Sequence, residues 1–196
     1  MKAIIYKDWG IRAMLAGKKR MTRRLMYPQP PRGAIYKGMG FTSKHKRFGA
    51  LFHYNDRDIM YTDFIKCPFS VGDIFYAKEA WQDTYQLGDY PGEIFYRSTY
   101  LEDWVGSATW VVKWRSPWHL KEINARIFRK ITNIKAERLQ DISEEDALKE
   151  GVEFYCEIDG ITYREAFKRC IIDIHGPVVW DINPWVWVYE FEGSEE

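Results

Sequence analysis

Apolar residues open the chain as a short run, Ala3-Ile4-Ile5-Tyr6, which reads as a strand. Asp8 follows in the place of a helix N-cap. Ile11, Met14 and Leu15 then recur at helical spacing before Gly17, a natural residue to stand just past a helix end. The predicted helix therefore stops at Gly17, and the segment Lys18 to Leu25 leaves it. Residues 27–66 read as an insertion. It opens on Tyr27-Pro28-Gln29-Pro30-Pro31, is rich in glycine and basic residues, and carries a hairpin pattern over residues 40–54. Ser70-Val71-Gly72-Asp73 is a turn before a strand over 74–81, and further strands are predicted at 93–97, 110–114 and, longer, 126–139.

Helical periodicity takes over after that long strand. Ser143 is placed to cap the amide of Asp146, with Asp146 answering as the capping-box acid. Ile142 and Ala147 supply the hydrophobic staple, and Gly151 closes the helix. A second helix over 163–174 puts Ala166, Phe167, Cys170, Ile171 and Ile174 on one face. The last strand, 185–191, sets Trp185, Trp187, Tyr189 and Phe191 on one side. No internal repeat or low-complexity tract is present. The pattern predicts one α+β domain over residues 1–196, interrupted by the insertion at 27–66.

Composition places 196 residues, 46% hydrophobic and 29% charged, in the globular class, and the 17% aromatic content favours strands and flat contact surfaces. The net charge of +1 hides a polarity. Residues 1–60 hold 14 Lys or Arg against three acids, a net +11, so the remainder is net −10. A basic N-terminal third suits a nucleic-acid partner, although mutual neutralisation of the two ends explains the same numbers. Cys67, Cys156 and Cys170 are odd in number and form no Cys-x-x-Cys pair, which fits a reducing, cytoplasmic setting. The opening residues are too short and polar for a signal peptide, and no apolar run is long enough to span a membrane.

Five of the seven residues from Lys18 to Arg24 are basic: Lys18, Lys19, Arg20, Arg23 and Arg24. Like charges packed this closely raise the electrostatic energy unless an anion is bound, and Arg and Lys beside a hydroxyl suit phosphate contacts. A solvated charge run on a loop reads the same way. Glu150 is the second candidate. It falls in the last turn of its helix, where the macrodipole disfavours an anion. A carboxylate there is expected to hold its proton more readily or to have a cation beside it, and either suits proton transfer. His45, His53, His119 and His175 share no metal-ligand spacing with one another or with the cysteines, so neither a metal nor another cofactor is implied. Asp141, Glu144 and Glu145 read as helix-start charges. Lys113 and Arg115 beside Trp114 could touch a polynucleotide backbone, but a half-exposed strand predicts the same pattern.

With these residues in view, the sequence resembles the ASCH family. The stretch Ile11 to Arg24 is similar to that family's signature of a helix, a glycine and then Lys-x-x-Thr-x-Arg, with Gly17, Lys19, Thr22 and Arg24 in those places. Ser70 to Asp73 resembles the family's Pro-Gly-Asp turn, with Val71 in place of Pro. Leu139 to Val152 resembles its helix ending in Glu-Gly, and Asn183 to Phe191 its final strand. The set is most similar to ASCH proteins of bacteriophages and prophages, and it covers roughly two thirds of the chain. Residues 27–66 and 98–125 lie outside it.

The resemblance implies a PUA-like β-barrel of about five to seven strands flanked by helices, and usually RNA binding. Some small members are amidohydrolases that remove the acetyl group of N4-acetylcytidine. Their catalytic Lys, Thr and Glu fall on Lys19, Thr22 and Glu150. Thr22 would then attack as nucleophile, Lys19 would take its proton, and Glu150 would protonate the departing amine or orient Lys19. Lys18, Arg20, Arg23 and Arg24 would set the field and hold phosphate. Arg24 or a backbone amide after Gly17 would hold the oxyanion, and Trp81 or Tyr76 would stack on the base. The partners expected are RNA or a modified nucleoside, or DNA. Two other readings stay open: a non-catalytic RNA- or DNA-binding module gripping the backbone through the basic segment and the hairpin near Lys44 to Arg47, and a metal-independent ribonuclease using Lys19.

Overall fold

The computed structural model describes residues 1–42, 47–56, 59–83, 94–100, 113–153 and 160–193. Among these the fold is α+β, with ten strands in three sheets and four α-helices. The strands are β1 (Lys2–Ile5), β2 (Met21–Leu25), β3 (Ile35–Thr42), β4 (Arg47–Asp56), β5 (Ile59–Lys66), β6 (Ile74–Lys78), β7 (Trp81–Asp83), β8 (Ile94–Tyr96), β9 (Phe128–Arg138) and β10 (Trp185–Gly193). The helices are α1 (Asp8–Leu15), α2 (Glu144–Lys149), α3 (Tyr163–His175) and α4 (Val178–Ile182). The largest sheet has the order β1-β6-β9-β10-β2, the second β3-β4-β5, and the third β7-β8. A barrel needs its outermost strands paired with each other. The pairings among the described residues leave all three sheets open, so the expected barrel is reduced to a mixed α+β fold. No helix among the described residues is long and apolar enough to cross a membrane.

The chain forms two compact units. One comprises Met1–Lys19, Ile74–Lys130 and Gly193–Glu196, the other Arg20–Asp73 and Ile131–Glu192. In the first, β1 runs parallel to β6 from Lys2↔Phe75 to Ile5↔Lys78, and β6 runs antiparallel to the start of β9 from Ile74↔Lys130 to Tyr76↔Phe128. Helix α1 follows β1 and buries Ile11 and Met14. Its N-cap is Lys7, not the expected Asp8. Asp8 is the first helical residue, and its carboxylate accepts from Arg97 Nε at 2.7 Å. Gly17 stands just past the helix with φ +71°, as predicted, and the amides of Lys18 and Lys19 both return to the Ala13 carbonyl. The strand expected over 74–81 is broken at Glu79-Ala80 into β6 and β7. Glu79 is buried there, gripped by Arg126 and by the Ser98 hydroxyl. Of the strand expected at 110–114, residues 110–112 lie outside the described residues; Lys113 and Trp114 are not in a strand, and Arg115 bridges to Trp81.

In the second unit β10 lies between β9 and β2. Its register with β2 is antiparallel, from Val186↔Leu25 to Glu190↔Met21. The predicted aromatic face of β10 is buried, and so are Val186 and Val188 on the other face, as befits an interior strand covered on both sides. Gln29 extends this ladder with its side chain. Its Oε1 accepts from the Trp185 amide at 2.8 Å, and its Nε2 donates to the carbonyls of Trp185 and Met26. The stretch read as an insertion contains the three antiparallel strands β3, β4 and β5. The expected hairpin is β3–β4, closing on Thr42↔Arg47; residues 43–46 lie outside the described residues. Phe52 and Tyr36 of this sheet pack on Trp185, with the Phe52 ring edge-on at 4.9 Å between centroids.

Candidate functional site

The basic segment is split by the local backbone. Lys18 and Arg20 are exposed, Arg24 is half-buried, and Lys19, Thr22 and Arg23 are buried. Lys19 belongs to the first unit. Its ammonium sits 5.4 Å from the Trp9 ring centroid and 5.8 Å from that of Tyr6, the geometry of a two-ring cation–π cradle. Neither ring was singled out by sequence reasoning. Tyr6 ends the first apolar run and Trp9 falls one turn of helix before Ala13, places where an aromatic ring ordinarily packs without a further role.

Thr22 and Glu150 belong to the second unit. Thr22 pairs with Tyr189, one pair in from the start of β2 in the β2–β10 ladder. The Arg20 amide donates to the Lys149 carbonyl at 2.8 Å, and the Arg20 carbonyl accepts from the Phe191 amide at 2.9 Å. β2 therefore starts against the last turn of α2, which delivers Glu150. That residue is the C-cap of α2 and is 3% exposed, with Gly151 following at φ +77°. The cation that a carboxylate at this helix end requires is Arg23, whose Nη1 lies 3.2 Å from Glu150 Oε1.

Arg23 departs from the phosphate contact expected of it. Its side chain is 0% exposed and its guanidinium faces three carboxylates. Nε donates to Glu137 at 2.8 Å, Nη2 to Asp146 at 2.9 Å and Nη1 to Glu150. Nη1 also lies 3.2 Å from the Met21 sulfur, and the guanidinium sits over the Phe167 ring at 5.7 Å. Burial alone would lower its pKa, but Glu150, Glu137 and Asp146 outweigh burial and raise it. Lys135 joins from β9, with Nζ 2.9 Å from Asp146 and 3.0 Å from Glu137. Asp146 is thus spent on these cations rather than on a capping box; of that motif, the Ser143 hydroxyl's bond to the Asp146 amide is present. Glu137, Asp146 and Lys135 are the residues sequence reasoning missed. Their signal is faint, because charged positions on a strand and at a helix start are normally solvated.

Alternation along β2 sets Met21 and Arg23 on one face and Thr22 and Arg24 on the other. Glu150 is held on the Arg23 face. The remaining candidates are dispersed. Tyr76 and Trp81 are buried, and Arg115 covers the Trp81 ring at 4.9 Å. Among the described residues no group of three or more His, Cys, Asp or Glu side chains is arranged to hold a metal; His45 and Cys156 lie outside them. No family model, curated protein or solved structure matches this chain.

Proposed function

We propose that this protein is of the ASCH type, acts on RNA or modified nucleosides, and hydrolyses the N4-acetyl amide of N4-acetylcytidine with Lys19, Thr22 and Glu150. One observation carries the reading: an amine, a hydroxyl and a carboxylate singled out from the sequence are each only 3% exposed. Burying polar groups costs free energy that bonding must offset, so three of them held inside are there for structure or for chemistry, and the reading assigns them to chemistry. In the proposed reaction Thr22 Oγ attacks the acetyl carbon while Lys19 Nζ, entering the step as the neutral amine, takes the hydroxyl proton. The tetrahedral oxyanion is held by Arg24 or a backbone amide. Its collapse breaks the C–N bond, and Glu150, starting as a carboxylate, carries the proton taken by Lys19 on to the departing N4 amine, releasing cytidine. Water then hydrolyses the threonyl ester to acetate. The exposed pair Lys18 and Arg20 supplies phosphate contacts at the rim.

A second reading is favoured by the alternation of β2. Glu150 on the Arg23 face, opposite Thr22, suits a non-catalytic module in which the acid serves the ion cluster and the exposed cations bind RNA. The discriminating measurement is chromatography of cytidine released from N4-acetylcytidine. The first reading expects turnover by the wild type and its loss in Thr22→Ala and Lys19→Ala. Cytidine no higher than in the Lys19→Ala control leaves the binding module.

A further inference from the structure

The sheet β3-β4-β5 has two chemically different faces. One, carrying Phe52, Ala50 and Ile65, is core, with Phe52 packed on Trp185. The antiparallel register assigns the other face row by row. Thr42 is opposite Arg47; Gly40, Gly49 and Lys66 form the next row; Gly38, Leu51 and Phe64 the third; Ile35, His53 and Thr62 the fourth. Arg47 and Lys66 are exposed, and Phe64 and His53 are half-buried. Asp63 shares its row with Phe52 and so belongs to the core side. Among the described side chains this outer face carries no acid.

Glycine shapes the surface. A Cβ at Gly49 would lie 2.9 Å from the tip of the Phe64 ring, and one at Gly40 would lie 3.0 Å from Leu51. The missing side chains let the ring and the leucine lie low across the neighbouring strand. The result is a shallow aromatic and aliphatic platform with two cations at one end. Phe64 and Lys66 are two residues apart on one strand, hence about 7 Å apart on the same face. That spacing lets one nucleotide stack its base on the ring and offer its phosphate to the ammonium.

We propose that this outer face of β3-β4-β5 binds a single-stranded polynucleotide, with Phe64 as the stacking platform and Arg47 and Lys66 as backbone contacts. Charge complementarity selects the partner, because a polyanion meets cations without meeting a carboxylate. The assignment stands without the hydrolytic reading and adds to it a surface that holds polymer rather than free nucleoside.

The test is fluorescence anisotropy of labelled single-stranded RNA, single-stranded DNA and duplex RNA, titrated with the full chain at two salt concentrations. Expected are binding of single strands in preference to duplex, affinity that falls with salt, and a loss of about tenfold in Phe64→Ala. Lys66→Glu and Arg47→Glu are exposed changes that guard against misfolding of the first variant, and each should weaken binding and flatten the salt dependence. The RNA and DNA arms decide which polymer is read. Wild type that binds single strands through this face but releases no cytidine from N4-acetylcytidine sinks only the hydrolytic reading, so the two readings fail separately. Equal affinity of wild type and all three face variants overturns the proposal. So does preference for duplex, or absence of binding with self-association of the protein through this face.

Discussion

At the scale of single residues, Arg23 is the most consequential side chain. A planar fork with five donors in fixed geometry can meet three carboxylates at once, where an ammonium has three donors in all. Removing it takes one cation away from Glu137, Asp146 and Glu150 at once, and Lys135 contacts the first two of these. Arg23→Leu is expected to lower unfolding stability by about 3–5 kcal/mol, the usual result of breaking a buried pair on one side. Urea titration measures it, and a change below about 1 kcal/mol contradicts the role given to this cluster. Arg23 also shows where sequence reasoning fails. In a run of five cations each looks alike, and nothing local says which will turn inward. Lys18 and Arg20 stay outside while Lys19 and Arg23 are buried, because Gly17 and the two bonds to Ala13 fix how the segment leaves α1. Glu150 was legible for the opposite reason: a carboxylate closing a helix conflicts with the macrodipole, and that conflict is visible without coordinates.

At the scale of elements, the strands and helices with strong periodicity were the legible ones. Strand β10, helix α3 and the Ser143 cap stand where the pattern put them. The failures came where a buried polar network overrides propensity, as at Glu79, which breaks one expected strand into β6 and β7. Gly49 gives the element scale its prediction. It sits in β4 where a Cβ would fall 2.2 Å from the carbonyl oxygen of Ile65, part of the β5 backbone and unable to rotate aside. Gly49→Ala is therefore expected to push β4 and β5 apart and cost about 2 kcal/mol or more, despite the usual benefit of replacing glycine in a strand. Gly40→Ala, which meets only the end of the Leu51 side chain, should cost less. Thermal melting of the two variants checks the order.

At the scale of the whole molecule, stability against pH gathers the ionised groups into one curve. His175 has a lowered pKa, through partial desolvation of an otherwise exposed ring and then Arg24, so its small contribution is present above the ordinary value of 6.5 and is lost as pH falls through the folded value. Burial pushes the Asp146 carboxyl up, but Lys135 and Arg23 outweigh it and hold it below 3.8, so that contribution is lost at still lower pH. Lys135 is raised above 10.5, and its contribution disappears only as pH rises through the folded value. Melting temperature should be flat from about neutrality to the alkaline edge and fall in two steps on acidification. His175→Gln should remove the first step and leave the second. The two compact units were not visible in the sequence, since each is assembled from segments distant along the chain. One connection among those segments has a consequence for how the protein varies. The amide of Gln29 clamps Trp185 immediately after β2 and before the excursion that carries β3, β4 and β5. Changes of length in the excursion that spare Gln29 and the Tyr36 and Phe52 rings packed on Trp185 are therefore expected to leave the register of Thr22 and Arg23, and with it the positions proposed for chemistry, in frame.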